Sequence, residues 1–137
     1  MVDHDLTALS APIEELRADV QAAYERLDNE WEAVANTLKK LPIPCDVACC
    51  IGEHPTGFPL YELSWRKWKG KKRVCYVVTF LRDGYEGPEE EEDVTPYDEW
   101  SGPQKLKYLS FVPKLFDAAR EQTQQFISLT QSHGAKK

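Results

Sequence analysis

The side chains best suited to chemistry in this chain are six cations that fall within eight positions, close to two tryptophans. Lysine and arginine can hold phosphate groups and an exposed tryptophan can stack on a base, so this combination is typical of single-strand-binding proteins. The candidate binding residues are Trp65, Arg66, Lys67, Trp68, Lys69, Lys71, Lys72 and Arg73. The same cations could instead bind an acidic protein surface, stay solvated, or pair with acids of this chain.

A second candidate site is a run of five consecutive acids, which could dock a basic partner. Its members are Glu89, Glu90, Glu91, Glu92 and Asp93. Nine acids fall within residues 83–99, and two glycines and two prolines interrupt any regular pattern there. This composition predicts a solvated acidic loop over 83–99. The loop could fold against the six cations, so an intramolecular role and a partner-binding role both stay open.

Residues for catalysis or metal binding are sparse. His54 is the one histidine outside the predicted tails, and the four cysteines are Cys45, Cys49, Cys50 and Cys75. Cys45 and Cys49 would lie roughly 13 Å apart on an extended strand, too far to share one ion. We therefore predict free thiols and no catalytic, cofactor-binding or metal-binding residue. A thiol enzyme that uses His54 as its base is a remote third hypothesis.

The candidate cations must be positioned by a β-hairpin. Apolar and polar residues alternate on both sides of Gly70 from Tyr61 to Leu81, which is the signal of two paired strands. A two-residue turn at Lys69-Gly70 predicts the pairs Trp65 with Val74, Leu63 with Tyr76, and Tyr61 with Val78. Because a lone hairpin is marginal in water, a third strand is expected at Cys45–Ile51. Residues 45–81 are thus predicted to form a three-stranded antiparallel meander.

A long helix is predicted over residues 12–41, before the sheet. Its apolar stripe contains Ile13, Leu16, Val20, Tyr24, Leu27, Trp31, Val34, Leu38 and Leu41. Such a helix would be on the order of 45 Å long, whereas a compact domain of this size is roughly 37 Å across. It is therefore paired antiparallel with the C-terminal helix, broken, or packed on another chain. The seven-residue repeat within the stripe is compatible with a coiled coil.

The C-terminal part is predicted to be helical over 103–131, with a kink or a break at Pro113. Residues 1–10 and 132–137 are expected to be tails. The fold class is α+β in a single domain of residues 1–137, with both helices on one face of the sheet. On the other face, Cys75, Val77 and Leu81 suggest an exposed apolar strip or a dimer contact.

The overall composition is that of an ordinary globular protein, with 42% hydrophobic residues, 29% charged residues and a formal net charge of −6. No apolar run is long enough to span a membrane, and no secretory signal is visible, so a cytoplasmic location is expected. The leading hypothesis is a small non-catalytic interaction or accessory module that binds an unknown protein partner or itself. Nucleic-acid binding through the hairpin is the alternative, and the negative net charge argues against it.

Overall fold

The computed structural model describes residues 5–135 and has an α+β fold, as predicted. The helices are α1 (Leu6–Glu14), α2 (Arg17–Lys40), α3 (Gly102–Leu109) and α4 (Val112–Ala135). The strands are β1 (Val47–Glu53), β2 (Leu60–Trp68), β3 (Lys71–Gly84) and β4 (Gly87–Pro96), which form one antiparallel sheet in chain order. Within this described range, no helix combines the length and the apolar character that a membrane span requires.

The central hairpin of β2 and β3 has the predicted register. Trp65 faces Val74, Leu63 faces Tyr76, and Tyr61 faces Val78. Lys69 and Gly70 form the turn with φ values of 50° and 91°, and a positive φ at both turn positions matches the right-handed twist of the strands. The expected third strand is also present, although it begins two residues later than predicted, at Val47.

The predicted acidic loop over 83–99 is wrong, and so is the count of three strands. Residues Gly87–Pro96 form β4, which pairs along its length with β3. A two-residue turn at Tyr85-Glu86 joins the strands, between Gly84 and Gly87. β4 lies at the edge of the sheet, where acidic side chains can reach solvent and also protect the free edge from pairing with another chain.

The helix predicted over 12–41 is broken in its N-terminal part, which is one of the three outcomes that its length allowed. Helix α1 begins earlier, at Leu6, because the Asp5 carboxylate accepts hydrogen bonds from the amides of Thr7 and Ala8 at 3.1 and 3.3 Å. Leu16 then donates its amide to the carbonyl of Ile13, three residues back, and this tighter turn separates α1 from α2. The tail predicted over 1–10 is therefore helical from residue 6, while residues 1–4 lie outside the described range.

The C-terminal helices follow the prediction more closely, because a break separates α3 from α4 just before Pro113. Ser101 caps α3 by accepting a hydrogen bond from the amide of Gln104 at 3.2 Å, and the Gln104 side chain accepts from the Ser101 amide in return. The tail predicted over 132–137 is wrong up to Ala135, which is still helical. Residues 136 and 137 lie outside the described range.

The core lies between the helices and one face of the sheet. Its members are Trp31, Ala35 and Leu38 of α2, five strand residues (Val47, Cys49, Leu63, Trp65 and Val74), and Trp100, Tyr108, Leu115 and Ala119. Helix α4 packs on β1 and β2, while α2 packs on α3 and β3. The expected antiparallel pairing of the two long helices is therefore wrong, since each helix packs chiefly on other elements.

Candidate interaction surfaces

The basic tip comprises the predicted binding residues 65–73. Some of these side chains are buried in the structure and others are exposed. Trp65 is only 2% exposed and belongs to the core, so its ring cannot stack on a ligand. Trp68 is half-buried at the end of β2, and the Lys69 ammonium lies 5.8 Å from the centroid of its ring. Of the two tryptophans, Trp68 alone can contribute to binding at the tip.

Three cations of the basic tip, Arg66, Lys72 and Arg73, are paired with acids of the same chain. Lys72 contacts Asp46 at 3.0 Å, and Arg73 contacts Asp98 at 3.1 Å. Burial alone would raise the pKa of Asp46, but hydrogen bonds from Lys72 and the Lys67 amide lower it overall. These contacts confirm part of the expectation that acids of the chain offset the tip, since Glu92, the partner of Arg66 at 3.6 Å, belongs to the run of five and Asp98 to the segment 83–99.

The cations that remain available lie around the β2–β3 turn. Lys67, Lys69 and Lys71 are exposed and make no ion pair with any residue between 5 and 135. Lys39 of α2 lines a cleft of about 140 Å³ together with Lys71. The sequence could not indicate that Lys39 lies near the basic tip, because its position depends on where the end of α2 packs.

The face of the sheet without helices is covered by a charged side chain, so the predicted exposed apolar strip is wrong for two of its three members. Arg66 donates to the Ser64 hydroxyl at 2.9 Å and reaches Glu92 of β4 at 3.6 Å. Its guanidinium thus crosses β3, where Cys75 and Val77 are fully buried. Burial raises the pKa of the neighbouring Glu62, an effect that Arg66 partly offsets.

The acidic ribbon comprises residues 80–91, the part of the β3–β4 hairpin that extends past the last pair between β2 and β3, which is Leu60 with Thr79. Its turn lies at the opposite end of β3 from the basic tip. At about 3.3 Å per residue, the fourteen residues of β3 separate the two turns by about 40 Å. The acids near the ribbon's turn therefore cannot fold against the basic tip, so that expectation is wrong for them, whereas Glu92 and Asp98 do contact Arg66 and Arg73.

The ribbon combines negative charge with exposed apolar surface. It carries the acids Asp83, Glu86, Glu89, Glu90 and Glu91, against a single cation, Arg82, which pairs with Glu91 at 2.6 Å. Tyr85 at the turn is fully exposed and Leu81 is 49% exposed. The sequence pattern had already indicated Leu81 as an exposed apolar residue, and its exposure is confirmed, whereas Tyr85 was not identified from the sequence. The two glycines that flank Tyr85-Glu86 were the available signal of a hairpin turn.

Two of the four cysteines are poorly suited to act as the nucleophile of a thiol enzyme. Cys49 and Cys75 are buried, which raises the pKa of both thiols, that of Cys75 to about 11. The exposed His54 ring uses Nδ1 to contact the Thr56 hydroxyl at 2.9 Å within its own loop. Over residues 5–135, no three side chains of His, Cys, Asp or Glu come together in a group that could hold a metal ion.

Comparison with protein-family models, curated proteins and solved structures finds no match to this chain. A function must therefore be argued from the surfaces described above.

Proposed function

We propose that this protein is a non-catalytic interaction module whose acidic ribbon binds a basic segment of a partner protein. The observation that carries the proposal is the position of the ribbon. Its charges extend past the body of the sheet, about 40 Å along β3 from the basic tip. Five carboxylates there face one arginine, so the chain leaves most of this charge available to an outside cation.

The backbone of the ribbon supports the proposal because it is already ordered. Every residue from Gly87 to Pro96 is paired with a residue of β3. A partner would therefore not have to order a loop of repelling acids, and a preformed surface lowers the entropic cost of binding. Charge complementarity of this kind favours fast association and selects against acidic partners.

Exposed apolar side chains give the ribbon a second source of binding energy. Tyr85 and Leu81 present apolar surface between the carboxylates. Tyrosine is enriched at the energetic centres of interfaces, because its rigid ring contributes a large contact area and its hydroxyl a hydrogen bond. A matching partner would present lysine or arginine around an apolar side chain.

The direct test is binding of a short peptide rich in lysine and arginine, measured by fluorescence anisotropy over a range of salt concentrations. The triple variant Glu86→Gln, Glu89→Gln, Glu90→Gln should bind about tenfold more weakly at low salt. Each exposed ion pair is worth roughly 0.2–1 kcal/mol, and 1.4 kcal/mol corresponds to tenfold in affinity. All three glutamates are exposed, so their replacement leaves the core untouched.

The matched control removes the same charge elsewhere, through Glu25→Gln, Glu30→Gln and Glu121→Gln, all on exposed helical positions. We expect this control to bind like the wild type. Equal loss in both variants would mean that only the net charge attracts the peptide, and the ribbon would not be the binding site. Adding Tyr85→Ala to the ribbon variant should weaken binding further.

The second candidate function is nucleic-acid binding through the basic tip, and one observation favours it. Lys39 and Lys71 line the same cleft next to the turn, together with the acids Glu32 and Asp98, which adds a helix cation to those of the hairpin. Trp68 offers a single partly accessible ring for stacking. The pairing of Lys72 and Arg73 with aspartates weakens this candidate relative to the ribbon.

Single-stranded DNA tests the second candidate directly. Binding through the tip should weaken steeply as salt rises, because each phosphate contact releases counterions. The variant Lys69→Glu, Lys71→Glu should abolish it, while Lys107→Glu, Lys114→Glu changes the same charge at other exposed positions and should retain it. Affinity that responds to neither salt nor the tip variant would end this candidate.

A further inference from the structure

We propose that a second copy of this chain covers an apolar stripe on α1 and the start of α2, so that the protein forms a symmetric dimer. The helical stripe is the set of six large apolar side chains Leu6, Leu9, Ile13, Leu16, Val20 and Tyr24. Each of them is between 47% and 74% exposed. This surface is separate from the ribbon and the basic tip.

The helical stripe lies outside the body of the molecule. Helix α1 buries none of its residues, whereas Trp31, Ala35 and Leu38 near the other end of α2 are buried. The Tyr24 ring lies against Gly102 so closely that a Cβ atom there would overlap it. Tyr24 therefore marks where the body ends, and the stripe continues the core's apolar surface into solvent.

The break between α1 and α2 does not interrupt the stripe. Glu15 and Leu16 both keep right-handed helical backbone angles. The amide of Glu15 bonds to the Ala11 carbonyl at 3.1 Å, and that of Val20 to the Leu16 carbonyl at 2.9 Å. Ile13 before the break and Val20 and Tyr24 after it line one shallow groove, so these apolar side chains stay on one side of the chain.

The exposed area matches what a dimer needs. With roughly 100 Å² for each of the six side chains, the stripe would bury about 600 Å² per copy. The total for two copies is about 1,200 Å², at the lower limit of a specific interface. The stripe on one copy, at about 600 Å², lies at the upper end of the largest apolar patches of monomeric proteins, which are typically about 300–600 Å².

The spacing indicates that the occupant is another copy of the same helix. Residues 6, 9, 13, 16 and 20 are separated by three, four, three and four positions, the a and d pattern of a helix that packs on an equivalent helix. A shallow groove lies along this seam, lined by Ile13, Val20 and Tyr24 together with the polar residues Glu14, Arg17 and Gln21. A two-fold axis would place the same side chains in the groove of each partner.

The test is the absolute mass of the full chain in solution, measured by size-exclusion chromatography with light scattering at low and moderate salt. The wild type should have twice its chain mass of 15.7 kDa at both salts, since an apolar interface is insensitive to screening. The variant Leu9→Glu, Ile13→Glu should have the mass of one chain. Both residues lie in α1, which has no buried residue. The variant should therefore still fold as a monomer and show a thermal unfolding transition.

The matched control is Ala8→Glu, Ala11→Glu, which adds the same charge to α1 away from the stripe. This control should remain dimeric. The proposal is overturned by a wild type of 15.7 kDa at high protein concentration, by a stripe variant that stays dimeric, or by a control that dissociates as completely as the stripe variant.

Discussion

Replacing Trp31 with alanine is expected to lower the free energy of unfolding by about 3–5 kcal/mol, the usual cost of removing a fully buried tryptophan. The side chain has no exposed surface, and its ring meets Trp100 edge-on with centroids 4.9 Å apart. Its indole N–H also donates to the Lys105 carbonyl at 2.9 Å. Because small domains are stable by only about 5–15 kcal/mol, this single change should remove a large part of the total.

Chemical denaturation followed by circular dichroism measures this loss without depending on tryptophan fluorescence. Trp31→Phe should cost less, since it keeps an aromatic ring and loses the hydrogen bond to Lys105. Trp68→Ala at the basic tip is the matched control, and it should change stability by less than about 1 kcal/mol because the ring is partly exposed. Equal losses for Trp31 and Trp68 would contradict the burial of Trp31 against Trp100 and the Lys105 backbone.

The sequence allowed the register of β2 and β3 to be predicted because side-chain period and burial coincide there. A slip of one residue would have moved Trp65 and Leu63 out of the core, so only one pairing was compatible with the pattern. The same alternation should have excluded Trp65 from the binding site. A residue that marks the buried face of a strand is not available to a ligand.

Strand β4 could not be predicted in this way, because its own residues carry almost no apolar signal. Val94 and Thr95 are its only β-branched members, and they follow a run of five acids. What makes this segment a strand is its pairing with β3 and the tight turn at Tyr85-Glu86. Strand preference depends strongly on such tertiary context, which composition does not contain.

The surfaces proposed for binding could not be located from the sequence either, because they also depend on tertiary context. The acids and the cations were recognised as opposite charges close in sequence, yet β3 places their turns about 40 Å apart. Leu6 and Leu9 were assigned to a tail, although Asp5 before them is a good helix cap. Extending the apolar spacing back to Leu6 would have identified the whole stripe.

Amide hydrogen exchange should show that the acidic segment is a formed strand before any partner binds. In an antiparallel pair, every second amide of an edge strand points toward its neighbour and the others point to solvent. The inward amides of β4 should therefore exchange at least about tenfold more slowly than in an unstructured chain. The outward amides should exchange rapidly. The turn residues Tyr85 and Glu86, which have no partner strand, should exchange fastest in the hairpin.

Residue-resolved exchange over β4, followed by NMR on the isolated protein, is thus the most direct test of a preformed acidic ribbon. We expect alternating protection from Glu89 to Thr95, which lie opposite residues 82 to 76 of β3, and within this range Glu89 to Glu91 report on the ribbon itself. Uniformly fast exchange across these residues would contradict a preformed ribbon. The acids would then form a disordered loop, and the proposed binding of a basic segment would lose its preorganised surface.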